Sequence, residues 1–305
     1  MNPKEKCGNK NYSFIFKIGV VLLTAFLLSN VIFVISIICG PVGLRSYLVN
    51  SFWGYPFRRF INKNVIKVGQ TYEFGQYAYG IDSKAPIKWQ VIGFGKDHIV
   101  LITNDIIDVV PYDNDDSSSV SWSKSDLRQW MNTDFYESAF NEIEKGIIVK
   151  NETVTDYRNH NYTGMRTVDY SEDYVYILGM LNVKKYLNND NRRSKLTPYA
   201  LEKYNEMSLR SDCHVQYDTN VLLNSPIVWK DDEGNGVWWL LSPGYYDTAA
   251  AAVMPDGQVV NCSGNMDEPF IAATDKAVGV RPVIKVDVEL FFQYISNQQQ
   301  CYGYL

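Results

Sequence analysis

Few residues in this chain could do covalent chemistry. Its histidines are His98, His160 and His214, and a nucleophile–base pair needs a Ser or Cys within reach of one of them. Cys213 directly precedes His214, but neighbours in an extended strand point to opposite faces and do not pair. No Gly-x-Ser-x-Gly, His-Glu-x-x-His or phosphate-binding glycine loop occurs. Cys7, Cys39, Cys213, Cys262 and Cys301 include no Cys-x-x-Cys spacing, which removes the usual zinc signature. A Cys213–Cys262 bridge stays open for an oxidising compartment. The acidic run DNDDSSS at Asp113–Ser119 lacks the alternating ligand spacing of a calcium loop and reads as solvated. The expectation is no catalytic residue, no metal site and no cofactor. Recognition chemistry remains. Tyr245, Tyr246 and Asp247 in "YYD", with Asp267 and Glu268 in "NMDEP", put aromatic faces and carboxylates on loops, where a sugar can stack and donate its hydroxyls.

Positioning such loops takes a scaffold, and the composition allows one. The chain has 305 residues, 46% of them hydrophobic and 21% charged, which suits a globular protein. Its 22 Tyr and 7 Trp favour β-structure and amphipathic surfaces. The net charge of −5 argues against a nucleic-acid partner.

The N-terminus reads as an anchor. Residues 18–39, IGVVLLTAFLLSNVIFVISIIC, carry no charge. As a helix they would extend roughly 33 Å, enough to cross a ~30 Å hydrocarbon core. The run exceeds a signal-peptide core and has no small-x-small cleavage site after it. Four lysines precede the span, against Arg45, Arg58 and Arg59 after it. That bias places the N-terminus in the cytoplasm and the rest outside. The expected organisation is a basic head at 1–17, a transmembrane helix at 18–39 and an aromatic, basic juxtamembrane segment at 40–67. A globular domain at 68–290 and a tail at 291–305 follow.

Within the domain, Thr71–Tyr77, Ile87–Phe94 and His98–Asn104 alternate as strands, with Gly95–Asp97 as a tight turn. Ser123 with Asp126 predicts a capped helix carrying Leu127, Trp130, Met131 and Phe135 on one face, and Thr133 a second cap. Arg128 on that helix is expected to pair with a carboxylate, and Trp122 and Trp130 to join the core. Tyr174–Leu178 reads as a strand, Val183–Leu187 as a short helix, and Thr197-Pro198 as the start of another. Trp238 and Trp239 open an apolar strand, four alanines let a facing element approach, and Pro255-Asp256-Gly257 makes a hairpin. "GVRPVIKV" (Gly279–Val286) reads as a closing strand that begins with a Gly-x-Arg-Pro corner, with Arg281 there as a buried or half-buried ion-pair partner holding loops together. The fold class is α+β: an antiparallel β-hairpin core with a few short helices.

The order of these motifs resembles the bacterial domain-of-unknown-function family 6273. The stretches IKWQVI, LITNDIIDVVPYD, SWSKSDLRQWMN, YVYILGMLNVKKYL, TPYA, WWLLSPG and GVRPVI follow one another from Val68 to Val288. This chain departs from the pattern at Leu241, where the resemblance implies Arg, and at Gly179, where it implies Ser. The layout is also similar to the C-type-lectin and formylglycine-generating-enzyme fold. No paired cysteines support that group's oxidase chemistry here, and Phe270 stands where the lectin motif has an amide.

Three functions follow for test. The first is a single-pass, extracytoplasmic, non-catalytic module that binds a glycan or a protein. The second is a structural partner in envelope assembly, using Asn30 within the membrane. The third is an enzyme with an unrecognised site.

Overall fold

Strand pattern and turn chemistry determine where the chain bends. The computed structural model describes residues 66–80, 82–114, 120–158, 166–208, 229–261 and 271–302, and Lys67–Leu290 forms one compact unit. Strands β1 (Thr71–Gly80), β2 (Ser83–Phe94) and β3 (His98–Thr103) form an antiparallel meander. Ile87, Trp89 and Val91 alternate inward, and the Trp89 indole donates to the Phe74 carbonyl at 2.7 Å. Gly95 begins the β2–β3 turn, where a β-carbon would stand 2.1 Å from the His98 ring. A larger residue there would have to displace that ring.

After β4 (Asp108–Val109) comes a 3-10 turn at Trp122–Lys124, then α1 (Asp126–Trp130), a π-helical turn at Met131–Phe135 and α2 (Tyr136–Ala139). The cap differs from expectation. Ser123 lies inside the 3-10 turn, and the Ser125 hydroxyl, on extended backbone, accepts from the Arg128 N–H at 3.2 Å. Thr133 caps nothing; its hydroxyl donates back to the Gln129 carbonyl, and the helix continues through the π turn. Asn141 and Glu144 form a full capping box at the head of α3 (Glu142–Ile147).

The chain continues through β5 (Ile148–Val149), β6 (Asn151–Arg158), β7 (Arg166–Asp173) and β8 (Val175–Tyr176), a shorter strand than the predicted 174–178. Three helices follow: α4 (Met180–Tyr186), α5 (Asn189–Arg192) and α6 (Pro198–Ser208), the last capped by the Thr197 hydroxyl. Strands β9 (Trp238–Pro243), β10 (Ala250–Val253), β11 (Val259–Val260), β12 (Gly279–Val280) and β13 (Val283–Asp287) precede α7 (Val288–Tyr302). The stretch read as a tail, 291–305, is therefore helical through Tyr302.

Two larger sheets and one hairpin result, in a mixed α+β fold. The first sheet runs β1-β2-β3-β13, with β5 and β8 sharing the far edge of β13. The second runs β11-β10-β9-β12-β4, and β6 pairs with β7. Ala252 faces Trp239 and Val253 faces Trp238 across the β9–β10 pair, so small and large side chains alternate as the alanines imply. The anchor at 18–39 lies outside the described residues. Among the described residues no helix is long and apolar enough to cross a membrane.

"GVRPVIKV" is not one strand. Gly279–Val280 belongs to the second sheet and Val283–Asp287 to the first, and Arg281-Pro282 is the corner between them. Proline has no N–H to donate, which ends one ladder before the next begins. Arg281, 2% exposed, donates from Nε to the Thr103 carbonyl at 2.8 Å and from Nη1 to the Asn191 carbonyl at 2.7 Å. Its guanidinium lies 5.3 Å from the Trp238 ring centroid. No ion pair forms at Arg281 among the described residues. Burial pulls its pKa down to about 10, while the Asp105 carboxylate acts in the opposite direction. Arg281→Met should lower the unfolding free energy by about 3 kcal/mol, because two buried carbonyls lose their donor. Arg281→Lys should recover less than half, since one ammonium cannot span both acceptors. Urea denaturation measures both, and a loss below ~0.5 kcal/mol for the Met variant would refute the role.

Candidate functional site

A cleft of about 640 Å³ lies over the first sheet. Side chains alternate across a strand, and Lys285 lies opposite Val100, two residues from His98. His98, Val100 and Lys285 therefore share one sheet face, and all three line the cleft. The start of β6 forms one wall, through Asn151, Glu152 and Val154. The stretch from Tyr176 to Asn182 forms another, with Tyr186 beyond it. The end of β9 supplies Ser242 and Pro243, followed by Tyr245, and Asn261 completes that side.

Backbone bonds fix these walls. The Leu241 N–H donates to the Leu178 carbonyl at 3.0 Å, and the Met180 N–H donates to the Ser242 hydroxyl at 3.1 Å. The Tyr245 N–H donates to the Asn261 carbonyl at 2.7 Å, which locates the loop after β9. The recess thus combines rings (Tyr176, Tyr186, Tyr245), amides (Asn151, Asn182, Asn261) and a lysine. Burial raises the Tyr176 phenol above its ordinary pKa. Rings beside amides and hydroxyls suit a polar ligand with apolar faces. Leu241 and Gly179, the two departures from the resembled pattern, also line this cleft.

Of the ligand-binding residues selected from sequence, Tyr245 is the one among those described that lines the cleft; His98, weighed for catalysis, lines it too. Tyr246 occupies the same turn, its ring edge-on to Tyr245 at 5.2 Å, and the Asp247 carbonyl accepts from the Val120 N–H. Asp267 and Glu268 lie outside the described residues, as do Cys213, His214, Cys262 and His160. Trp122, Trp238 and Trp239 are fully buried, and Trp130 is half-buried against Phe135 and Tyr77. Arg128 meets the buried Asp173 carboxylate at 2.5 Å. Asp173 also accepts from the Trp122 indole and the Ser171 hydroxyl, which ties β7 to the 3-10 turn and α1.

Several positioning residues carry no sequence motif. Asn132, in the π turn, donates to the Arg128 and Val175 carbonyls and accepts from the Tyr174 and Val175 N–H groups. That amide holds β8, and so the Tyr176 side of the cleft. Away from the cleft, Asp108 is 1% exposed and accepts from Tyr77, Lys203 and the Val109 N–H. Three donors already engage this carboxylate, which makes it a clasp of β1, β4 and α6. Among the described residues no group of three His, Cys, Asp or Glu is placed to hold a metal ion.

Fold and recess together define a mixed α+β domain with a cleft on one face of its first sheet. Residues 96–288, more than half of the chain, match the family described as "Domain of unknown function (DUF6273)", and the chain belongs to that family. The match starts at Lys96, later than the Val68 expected from motif order, so β1 and β2 lie before it. No curated protein and no solved structure matches the chain.

The segment closing this domain contains one strongly perturbed carboxyl. Burial pushes Asp275 up to about 7 from an ordinary 3.8, while its bond from the Ala272 N–H acts downward. A carboxyl that holds its proton better when folded contributes most below its unfolded pKa. That contribution is lost as pH rises through the folded value, so stability falls between pH 3.8 and about 7. Asp275→Asn keeps an oxygen for Ala272 and should remove this fall. The variant should melt higher than the parent at about pH 8 and with it near pH 4. Parallel melting-temperature profiles would show that another group is responsible.

Proposed function

We propose that this protein is a single-pass, membrane-tethered, extracytoplasmic module that binds a glycan in the cleft without transforming it. The cleft carries the reading. Tyr245 and Tyr186 offer faces for sugar rings, and Asn182 and Asn261 offer both a donor and an acceptor to hydroxyls. Its volume lies in the range of small-ligand sites. The uncharged stretch 18–39 supports the tether, and the four lysines before it support an outward domain. The lectin-like order of elements belongs to the same reading. A protein ligand is the second reading, favoured by one observation. Val154, Val168 and Tyr170 are exposed on the β6–β7 hairpin, where Val154 and Tyr170 are directly paired.

Tyr245→Ala should weaken binding on an oligosaccharide array about fivefold or more, taking the ~1–3 kcal/mol of a base stacked on one aromatic ring as the scale. Unchanged binding by that variant would remove the cleft from the account. Orientation is tested separately, with a C-terminal tag on intact cells. External protease should remove the tag, and protection until lysis would reverse the topology.

A further inference from the structure

Lys285 is out of place for a purely structural residue. It lies in β13, which has β3 on one side and β5 with β8 on the other, so it belongs to the interior of a sheet. Its neighbours Ile284 and Val286 are fully buried on the opposite face. Taking an ammonium part-way out of water opposes folding unless a partner compensates, and an apolar residue here would avoid that cost.

Among the described residues, compensation is limited to one carboxylate at longer range. Lys285 Nζ makes no hydrogen bond or ion pair with any described residue, whereas Lys145, Lys203, Arg128 and Arg193 each have a carboxylate within 4.0 Å. Burial pulls the Lys285 ammonium below the ordinary lysine value. Glu152, an exposed residue of the same cleft, acts on it at longer range in favour of the charge. Lys285 is also the one Lys or Arg among the described residues that line the cleft. The recess therefore holds a half-desolvated cation with hydrogen-bonding capacity to spare, in a lining it shares with Tyr245, Asn182 and Asn261.

We propose that Lys285 is an anion subsite and that the ligand is an acidic saccharide, its carboxylate on Lys285 Nζ and its ring against Tyr245. This rests on the glycan reading above and narrows it. A carboxylate fits better than a phosphate. One ammonium matches a single negative charge and does not match the nearly double charge of a phosphate monoester, which the Glu152 carboxylate of the same cleft would also repel more strongly. Recognition of phosphate would also call for the bidentate fork of an arginine or a cluster of donors, and the lining contains one flexible point charge.

The test uses the full-length chain and trisaccharides of galacturonic, glucuronic and mannuronic acid, each paired with its carboxyl-reduced form, and triglutamate as a peptide control. At least one acidic trisaccharide should bind ten times or more tightly than its reduced form. Lys285→Met, which keeps the stem and removes the charge, should abolish that preference, and Lys285→Arg should retain it. Unchanged melting of the Met variant excludes unfolding as the cause; if it melts, the Arg variant alone decides, by keeping or losing the preference. Equal binding of acidic and reduced sugars, lost in Tyr245→Ala, overturns the anion subsite and leaves the glycan reading standing. An acid preference that survives Lys285→Met overturns the role of this lysine. Binding of no sugar overturns both readings, and binding of triglutamate alone overturns the saccharide.

Discussion

The Arg281 guanidinium fastens the two larger sheets where the chain crosses between them. Its two donors reach β3 in the first sheet and the last turn of α5, while its plane faces Trp238 in the second. The neighbouring Arg192 carbonyl accepts from the Trp238 indole. A short helix leaves its final carbonyls without intrahelical donors, and here one arginine and one tryptophan supply them. The Thr103 N–H donates to the Pro282 carbonyl, so both backbone groups of Thr103 serve the same corner. The charge is retained in the interior because planar, delocalised guanidinium is less strongly hydrated than ammonium.

Tryptophan does comparable work elsewhere. Trp89, Trp122, Trp238 and Trp239 are fully buried, and each indole N–H has an acceptor: Phe74, Asp173, Arg192 and Val110 respectively. Each ring contributes apolar area, and each N–H restricts where its acceptor's segment can lie. Tyr112 packs edge-on between Trp122 and Trp239 and donates to the Leu241 carbonyl at the cleft wall. The aromatic richness of the chain is thus a set of directional ties between distant segments as well as a hydrophobic load.

The cleft depends on those ties. Its floor comes from β3 and β13, its walls from β6, from the segment after β8 and from the end of β9. No two of these walls are consecutive in the chain, so no local spacing could announce the site. Tyr245 was legible because a Tyr-Tyr-Asp loop after a strand is a recognisable recognition surface. Lys285 was not, because "VIKV" reads as ordinary strand alternation until β13 is seen to have neighbours on both sides. Asn132 carried no motif either, since three of its four bonds reach Tyr174 and Val175, more than forty residues away.

What the sequence determined by itself was local. Period-two alternation specified β1 to β3, Thr197-Pro198 started α6, and Asp256-Gly257 turned β10 into β11, because these choices depend on dihedral preference and on which face a few adjacent residues bury. The tertiary structure decided what depends on partners. Ser125 displaced Ser123 as the cap of α1 once Trp122 was drawn into the core to reach Asp173. The closing strand divided at Arg281-Pro282 because its two halves found ladders in different sheets. The cleft arose where segments far apart in sequence were brought to one face. Hydrogen-bond partners and desolvation are properties of that assembled neighbourhood, and no stretch of sequence contains them.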